Sequence, residues 1–365
     1  MRPAHDSGPT LRAARSQARR DVPDQRARVR FLRTAAAHGG AQQPVTAIET
    51  HMSWVFLAGD RVLKLKKPVK QLYLDFSTLA SREFHCREEL RLNERLAPGV
   101  YRGLCALCWD GRALSVLPEA ARPPGAEVLD WLVLMRRLPA DRTLDAAIAR
   151  GTVTPADIDR LADRLLDFYR GVPKSALSAA DYCAHFAREQ ALNRQVLRGA
   201  GGRWPDADAT LDRLDDALRV HAALLGERAQ LGFVVDGHGD LRPQHVCLLQ
   251  PPVVIDALEF NLALRQVDPL DEIAFLGMEC AQAGAHWIGP QLARRCVPAL
   301  GGVAADTLVP LYAAYRALLR ARLSLAHLLE PVVRRRRYWR PQARRYIGAA
   351  MGWLDVPSAG PRQAA

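Results

Sequence analysis

Between two long stretches of helical periodicity lies a short strand-rich island, residues 234–260, and it limits the fold of this chain more than any other segment. Two apolar runs of strand length, 246–249 and 253–255, are separated by Gln250-Pro251-Pro252, a turn by composition. Folded as a hairpin, they bring the loop 238–245 beside Asp256. Asp240 and Asp256 then meet at one end of one small element. Upstream, Trp54-Val55-Phe56-Leu57 and Arg61-Val62-Leu63-Lys64-Leu65 read as strands around the turn Ala58-Gly59-Asp60. Ser77 is placed to cap a helix carrying Leu79, Phe84, Leu90, Leu92 and Leu96, which Pro98-Gly99 would end. Further strands are expected at 103–109, 113–118 and 128–138. From Thr143 to Leu231 helical patterns dominate, as in 154–171 with Ile158, Leu161, Leu165, Leu166 and Phe168, and helices return from Asp268 onward. The pattern predicts an α+β protein, a small β-rich N-terminal lobe before a larger, mostly helical C-terminal lobe. There is no internal repeat.

Boundaries follow from composition. Residues 1–43, rich in Arg, Ala, Pro and Gly, are expected to form a flexible or partly helical basic tail. Residues 44–136 should form the β-rich lobe, 137–352 the helical lobe with its hairpin, and 353–365 a second tail. Hydrophobic residues make up 49%, enough for a sizeable core. No run approaches 18 uncharged apolar residues and no apolar leader opens the chain, so the expectation is a cytoplasmic protein without a membrane span. The net charge of +12 favours anionic partners (nucleotides, nucleic acid or membrane surfaces) without choosing among them. Seven scattered cysteines suit a reducing compartment. Cys105 and Cys108 form a CxxC with no second pair at metal-finger spacing, so they read as strand core.

Two carboxylates converging on one loop suit phosphoryl transfer. That reaction needs a carboxylate to orient the attacking hydroxyl, another to hold Mg2+ on the phosphates, and a cation to position those phosphates. Asp240 fits the first role. Asp256, at a strand end, fits the second, because Mg2+ prefers hard oxygen ligands.

At this point the chain resembles a known family. His238-Gly239-Asp240-Leu241 is similar to the HGD catalytic loop of the aminoglycoside phosphotransferases, itself related to the HRD loop of protein kinases. Ile255-Asp256 resembles the family's metal-binding "ID" pair, and Asp268-Pro269-Leu270-Asp271-Glu272-Ile273-Ala274 its GDPxxDLA segment, with Glu272 in place of the second Asp. Residues 51–60, 64–69, 74–79 and 88–93 are similar to one bacterial branch, often fused to a C-terminal P-loop kinase half. The chain contains no GxxxxGK[ST] and resembles only the first half, over roughly residues 45–350.

The resemblance implies a protein-kinase-like, two-lobed fold and an ATP- and Mg2+-dependent phosphotransferase with a small-molecule or protein hydroxyl as acceptor. It implies Asp240 as the catalytic carboxylate and Asp256 as a metal ligand. His245 stands where the family has a metal-binding Asn, and can bind metal, hydrogen-bond a phosphate or water, or orient Asp240. His238 is implied as a support of the loop. Lys64, on the second strand, is the expected phosphate lysine, with Lys66 on the same face as its alternative. Glu89 is its expected partner, chosen over Glu88 by its place relative to Leu92 and Leu96. Leu134, Met135 and Arg136, where strand character ends, are expected at the nucleotide edge, with plain core as the alternative for the apolar pair.

Two other readings stay open at this level. A pseudokinase would bind nucleotide without transfer, a reading prompted by His245 and by Ala257-Leu258 after the metal aspartate. A basic nucleic-acid binder would use the arginine-rich ends, but nothing in the core requires it. The run 334–337 is read first as a solvated helix face.

Overall fold

The computed structural model describes residues 22–40, 44–71, 73–199, 204–301, 305–329, 333 and 335–356. They fall into two compact units that divide between Leu138 and Pro139.

The first unit is built on an antiparallel sheet. Its strands are β1 (Thr46–Glu49), β2 (Ser53–Ala58), β3 (Arg61–Lys66), β6 (Tyr101–Trp109), β7 (Leu114–Pro118) and β8 (Glu127–Arg136), in the spatial order β1-β2-β3-β8-β6-β7. A small ladder of β4 (Lys70–Gln71) and β5 (Leu74–Asp75) stands apart from it. Ala58 pairs with Arg61, so β2 and β3 are joined by the two residues Gly59-Asp60. Gly59 has φ 59, the left-handed value that such a tight hairpin turn favours at glycine. Alternation along β3 sends Leu63 and Leu65 to one face and Lys64 and Lys66 to the other. Phe56, Leu63, Leu65, Cys105, Leu107 and Leu132 form the buried apolar face, which Leu32 and Ala37 cover.

Part of that cover comes from the segment read as a flexible or partly helical tail, where Gln25–Leu32 is a helix, capped at Asp24, whose side chain accepts from the Ala27 amide at 2.7 Å. Leu32 is fully buried, and Arg28 donates to the Leu129 carbonyl at 3.0 Å. The arginines interleaved with Val29, Phe31 and Leu32 masked an apolar face. Residues 1–21 and 41–43 of the expected tail, and 357–365 of the second, lie outside the described residues.

The other sheet face carries the helix Leu79–Asn93. Its cap is Thr78, which accepts from the Ser81 amide, while Ser77 bonds Asp75 instead. Its inward residues are Arg82, Cys86, Glu89, Leu92 and Asn93, whereas Phe84 is exposed. Arg82 donates to Asp130 at 2.7 Å. The buried face is therefore partly ionic, which apolar periodicity cannot reveal. Cys105 and Cys108 are free and buried, and burial pushes both thiols up, as a core role requires.

The second unit is mostly helical. Pro269–Gln282 is its central helix, buried along most of its length, with Asp268 as N-cap accepting from the Leu270 amide at 2.9 Å. Helices Ile288–Cys296 and Ala305–Ala326 pack on it. Two small ladders interrupt the helices. β9 (Val235–Asp236) pairs with β12 (Gln266–Val267), and β10 (Val246–Cys247) pairs with β11 (Val253–Val254) as the expected hairpin. Arg335–Arg337 open the last helix as exposed residues, while Ala343, Tyr346, Ile347 and Ala350 pack inward. Among the described residues no helix is long and apolar enough to cross a membrane.

His185 lies in the buried network of this unit, 3.1 Å from the Tyr315 hydroxyl, and burial brings its pKa down from 6.5 to about 4. The unfolded chain therefore takes up a proton between these values that the folded one does not. Stability should be full above about pH 6.5 and fall as pH drops toward 4, by up to about 3 kcal/mol. Urea unfolding at pH 7 and pH 5 measures this, and His185→Gln should show the shallower slope.

Candidate active site

The loop 237–245 is shaped by groups that hold its backbone. Glu272, in the first turn of the helix Pro269–Gln282, is fully buried and accepts from the amides of His238 and Gly239 and from the Tyr169 hydroxyl at 2.8 Å. A buried carboxylate needs such donors, and a helix N-terminus favours its charge. A Cβ at Gly237 would stand 2.8 Å from Glu272 Oε2 and 2.7 Å from Val267 Cγ2, so only glycine lets the loop approach this closely. Gly239 has φ +86, a second position that favours glycine. Arg316, paired with Asp271 at 2.6 Å, donates to the Gly239 carbonyl at 3.4 Å.

Glu272→Asp tests this support. Shortening the side chain by one carbon withdraws the carboxylate by about 1.5 Å. If the loop serves the phosphoryl transfer that the sequence resemblance implies, turnover should fall on the order of a hundredfold with nucleotide affinity nearly unchanged, as steady-state kinetics would show. Unchanged turnover would mean that the loop holds itself.

The two loop histidines have assignable tautomers. His238 Nε2 lies 2.9 Å from the Ile255 carbonyl oxygen, which can only accept, so Nε2 carries the proton. Its Nδ1 then accepts from the Asp240 amide at 3.2 Å. One ring thus ties the backbone of Asp240 to the residue before Asp256. His245 has the opposite tautomer. Its Nδ1 donates to the Asp240 carbonyl at 2.8 Å, leaving Nε2 as an acceptor, 3.2 Å from Arg242 Nη2.

His245 stands between the two acidic side chains. Its Nδ1 is 3.7 Å from Asp240 Oδ2 and its Nε2 is 3.7 Å from Asp256 Oδ2. Burial pushes its pKa down to about 4, assisted by Arg242, so the ring is neutral near pH 7. Arg242 also pairs with Asp240 Oδ2 at 2.8 Å. Burial acts to raise the Asp240 carboxyl, but Arg242 foremost, then His245 and Arg320, outweigh it and hold it at about 2. Asp256 has φ 67, a left-handed backbone uncommon outside glycine and frequent at functional positions. Its side chain is 44% exposed, so the oxygens are accessible.

In the first unit, Lys64 and Lys66 share one carboxylate. Lys64 Nζ is 2.8 Å from Glu89 Oε1, and Lys66 Nζ is 2.6 Å from Glu89 Oε2. Glu89 and Lys66 are buried, whereas the Lys64 side chain keeps 14% exposure. Glu88 pairs with Arg91 instead, at 2.7 Å. Leu134 and Met135 lie inside β8 with β3 on one side and β6 on the other, which commits their backbone groups to the sheet. The Arg136 amide donates to the Val100 carbonyl at 2.8 Å. These three residues therefore stand within the sheet rather than at an open backbone edge.

Several residues escaped the sequence reading. Arg242 lies inside the loop motif and its charge beside Asp240 was a usable signal. Tyr169, Arg316 and Arg320 come from helices remote in sequence, and nothing in the order of residues joins them to the loop.

No protein-family model matches the chain. Uncharacterized proteins of Mycobacterium bovis and Mycobacterium tuberculosis are 29% identical to it over 296 residues, which is 80% of this chain. The chain spans 57% of the length of these relatives. Among solved structures, a choline/ethanolamine kinase family protein from Mesorhizobium loti superposes with a TM-score of 0.56 at 16% identity, covering 90% of this chain and 96% of that one. A choline kinase from Cryptosporidium parvum Iowa II superposes with a TM-score of 0.50 at 8% identity, covering 91% and 97%. At such identities the likeness bears on the fold alone.

Proposed function

We propose that this chain, which has the fold of the protein-kinase-like phosphotransferases, transfers the γ-phosphate of ATP to a hydroxyl group with the help of Mg2+. The observation that carries the reading is the placement of Asp240 and Asp256 on either side of His245, each 3.7 Å from one ring nitrogen.

Asp240 would orient the acceptor hydroxyl and take its proton. Its carboxyl, held at about 2, is ionised at any working pH. Asp256 and His245 would hold the cation, the first through an exposed carboxylate oxygen and the second through a ring nitrogen that now accepts from Arg242. The bound cation supplies charge neutralisation at the phosphates. Lys64, braced by Glu89, would position those phosphates, and buried Lys66 would brace Glu89 from the other oxygen. Leu134, Met135 and Arg136 remain candidates for contact with the nucleotide through side chains, since their backbone groups are engaged. The choline kinase and the choline/ethanolamine kinase family protein support a small-molecule alcohol as acceptor. A cytoplasmic location accords with the scattered free cysteines.

The test incubates the full chain with ATP, Mg2+ and a metabolite extract and reads phosphorylated products by mass spectrometry. A molecule gaining one phosphate with the wild type, and not with Asp240→Asn, is the expected result. Nucleotide binding without any phosphorylated product or ATP turnover would favour a pseudokinase.

A further inference from the structure

Asp240 has two arginine neighbours, and they differ in the donors they leave open. Arg242 uses Nη2 for Asp240 Oδ2, at 2.8 Å, and for His245 Nε2, at 3.2 Å, which makes it a brace of the loop. Arg320 is held at the other end of its guanidinium. Its Nε donates to Glu279 Oε1 at 2.9 Å and lies 3.4 Å from the Tyr346 hydroxyl, with the guanidinium carbon 5.5 Å over the Tyr346 ring. Neither of its terminal nitrogens, Nη1 and Nη2, hydrogen-bonds a described residue. Arg320 follows Arg316 by one turn of the helix Ala305–Ala326 and shares its face. Arg316 reaches the Gly239 carbonyl, and the charge of Arg320 helps to hold the next residue, Asp240, ionised. Both ends of this pair are open to solvent in part, Asp240 at 23% and Arg320 at 21% of the side chain.

A guanidinium fixed through Nε keeps the edge between Nη1 and Nη2 for a second acceptor. That edge matches two oxygens of a carboxylate or a phosphate. The carboxylates that these helix arginines meet offer nothing comparable to an amine. Glu279 is buried and accepts from both Arg320 and the Tyr346 hydroxyl. Asp271 is buried and accepts from Arg316 through both oxygens.

We infer that the acceptor alcohol carries an oxyanion, a carboxylate or a phosphate, and that the Nη1–Nη2 edge of Arg320 receives it while Asp240 takes the hydroxyl. The inference rests on the phosphotransferase reading of this site and adds to it the charge class of the acceptor and the residue that selects it. In the transfer, the acceptor oxygen bonds to the γ-phosphorus and the bond from that phosphorus to the β-phosphate oxygen breaks. ADP leaves with that electron pair, and the hydroxyl proton passes to Asp240.

The experiment identifies, by mass spectrometry, the molecule that gains a phosphate when the full chain meets ATP, Mg2+ and a metabolite extract. Before reaction that molecule should carry a carboxylate or a phosphate, and its mass tells which. With this acceptor, Arg320→Gln should raise the acceptor KM on the order of a hundredfold, with a far smaller change in kcat and in the KM for ATP. An analogue with the anionic group made neutral (the amide of a carboxylate, the free alcohol of a phosphate) should lose a similar factor with the wild type. It should lose little more with Arg320→Gln, a coupling that loss of a structural brace alone does not produce. Arg320→Lys keeps the charge and should recover part of the KM. A neutral or cationic alcohol as the phosphorylated molecule would overturn the inference and leave the phosphotransferase reading standing. That outcome needs the wild type alone, so a misfolded Arg320→Gln cannot obscure it. An anionic acceptor whose KM is the same in a folded Arg320→Gln would overturn the assignment to Arg320. An extract in which nothing gains a phosphate would overturn both readings.

Discussion

Asp240→Asn should lower turnover by roughly a hundred- to ten-thousand-fold while nucleotide still binds. The substitution keeps the shape of the side chain and removes its charge. Arg242, 2.8 Å away in the wild type, can still donate to the amide oxygen, so the loop should keep its form. On the proposed reading, what is lost is the carboxylate that would orient the hydroxyl and receive its proton. A carboxyl held at about 2 is a weak base, so in the proposed role its main contribution would be orientation, with proton transfer following late. The same low value means the residue stays charged throughout the working range. Loss of activity on mild acidification should therefore trace to other groups. Thermal shift with ADP separates binding from transfer, and full turnover in Asp240→Asn would remove the residue from the chemistry.

Glu89→Ala should produce the largest loss of stability, about 3–5 kcal/mol, because it removes the carboxylate shared by two lysines at the centre of the first unit. Glu89 is fully buried, and Lys66 beside it has 1% side-chain exposure. Lys66 also lies 4.9 Å over the Phe76 ring, a contact too weak to replace an ion pair. Chemical denaturation monitored by tryptophan fluorescence reads the effect. A second variant separates stability from function. Lys66→Met with Glu89→Gln removes one buried charge of each sign, and stability should largely recover. Nucleotide affinity should not, because Lys64 has lost its charged brace. A Glu89→Ala protein as stable as the wild type would show that the lysines do not depend on this carboxylate.

Much of this organisation was legible in the residues, and the exceptions share a cause. The hairpin of β10 and β11, the order of strands and helices, and the pairing of Glu89 rather than Glu88 with the strand lysines all follow from local periodicity. Local signals suffice there because strand and helix periods dictate which side chains share a face. The packing of the helix Gln25–Leu32 against the sheet was hidden because arginines between its apolar residues imitate a solvent-exposed tail. The inward face of Leu79–Asn93 was misjudged for a related reason. Arg82 and Asn93 are buried there by pairing while Phe84 is exposed, and polar identity normally signals exposure. The support of the loop by Tyr169 and Arg316 depends on tertiary contacts that no spacing encodes. The tautomers of His238 and His245 depend on which carbonyl each ring meets, and only coordinates supply that.

The central claim is that Asp256 belongs to a cation-dependent nucleotide site. Calorimetric titration of ADP into the wild type and Asp256→Asn, each with and without Mg2+, tests it most directly. Asn is chosen because it tolerates the left-handed backbone found at φ 67. The wild type should bind ADP more tightly with Mg2+ than without, and Asp256→Asn should bind equally in both conditions. An undiminished gain from Mg2+ in the variant, or no ADP binding by the wild type, would contradict the account.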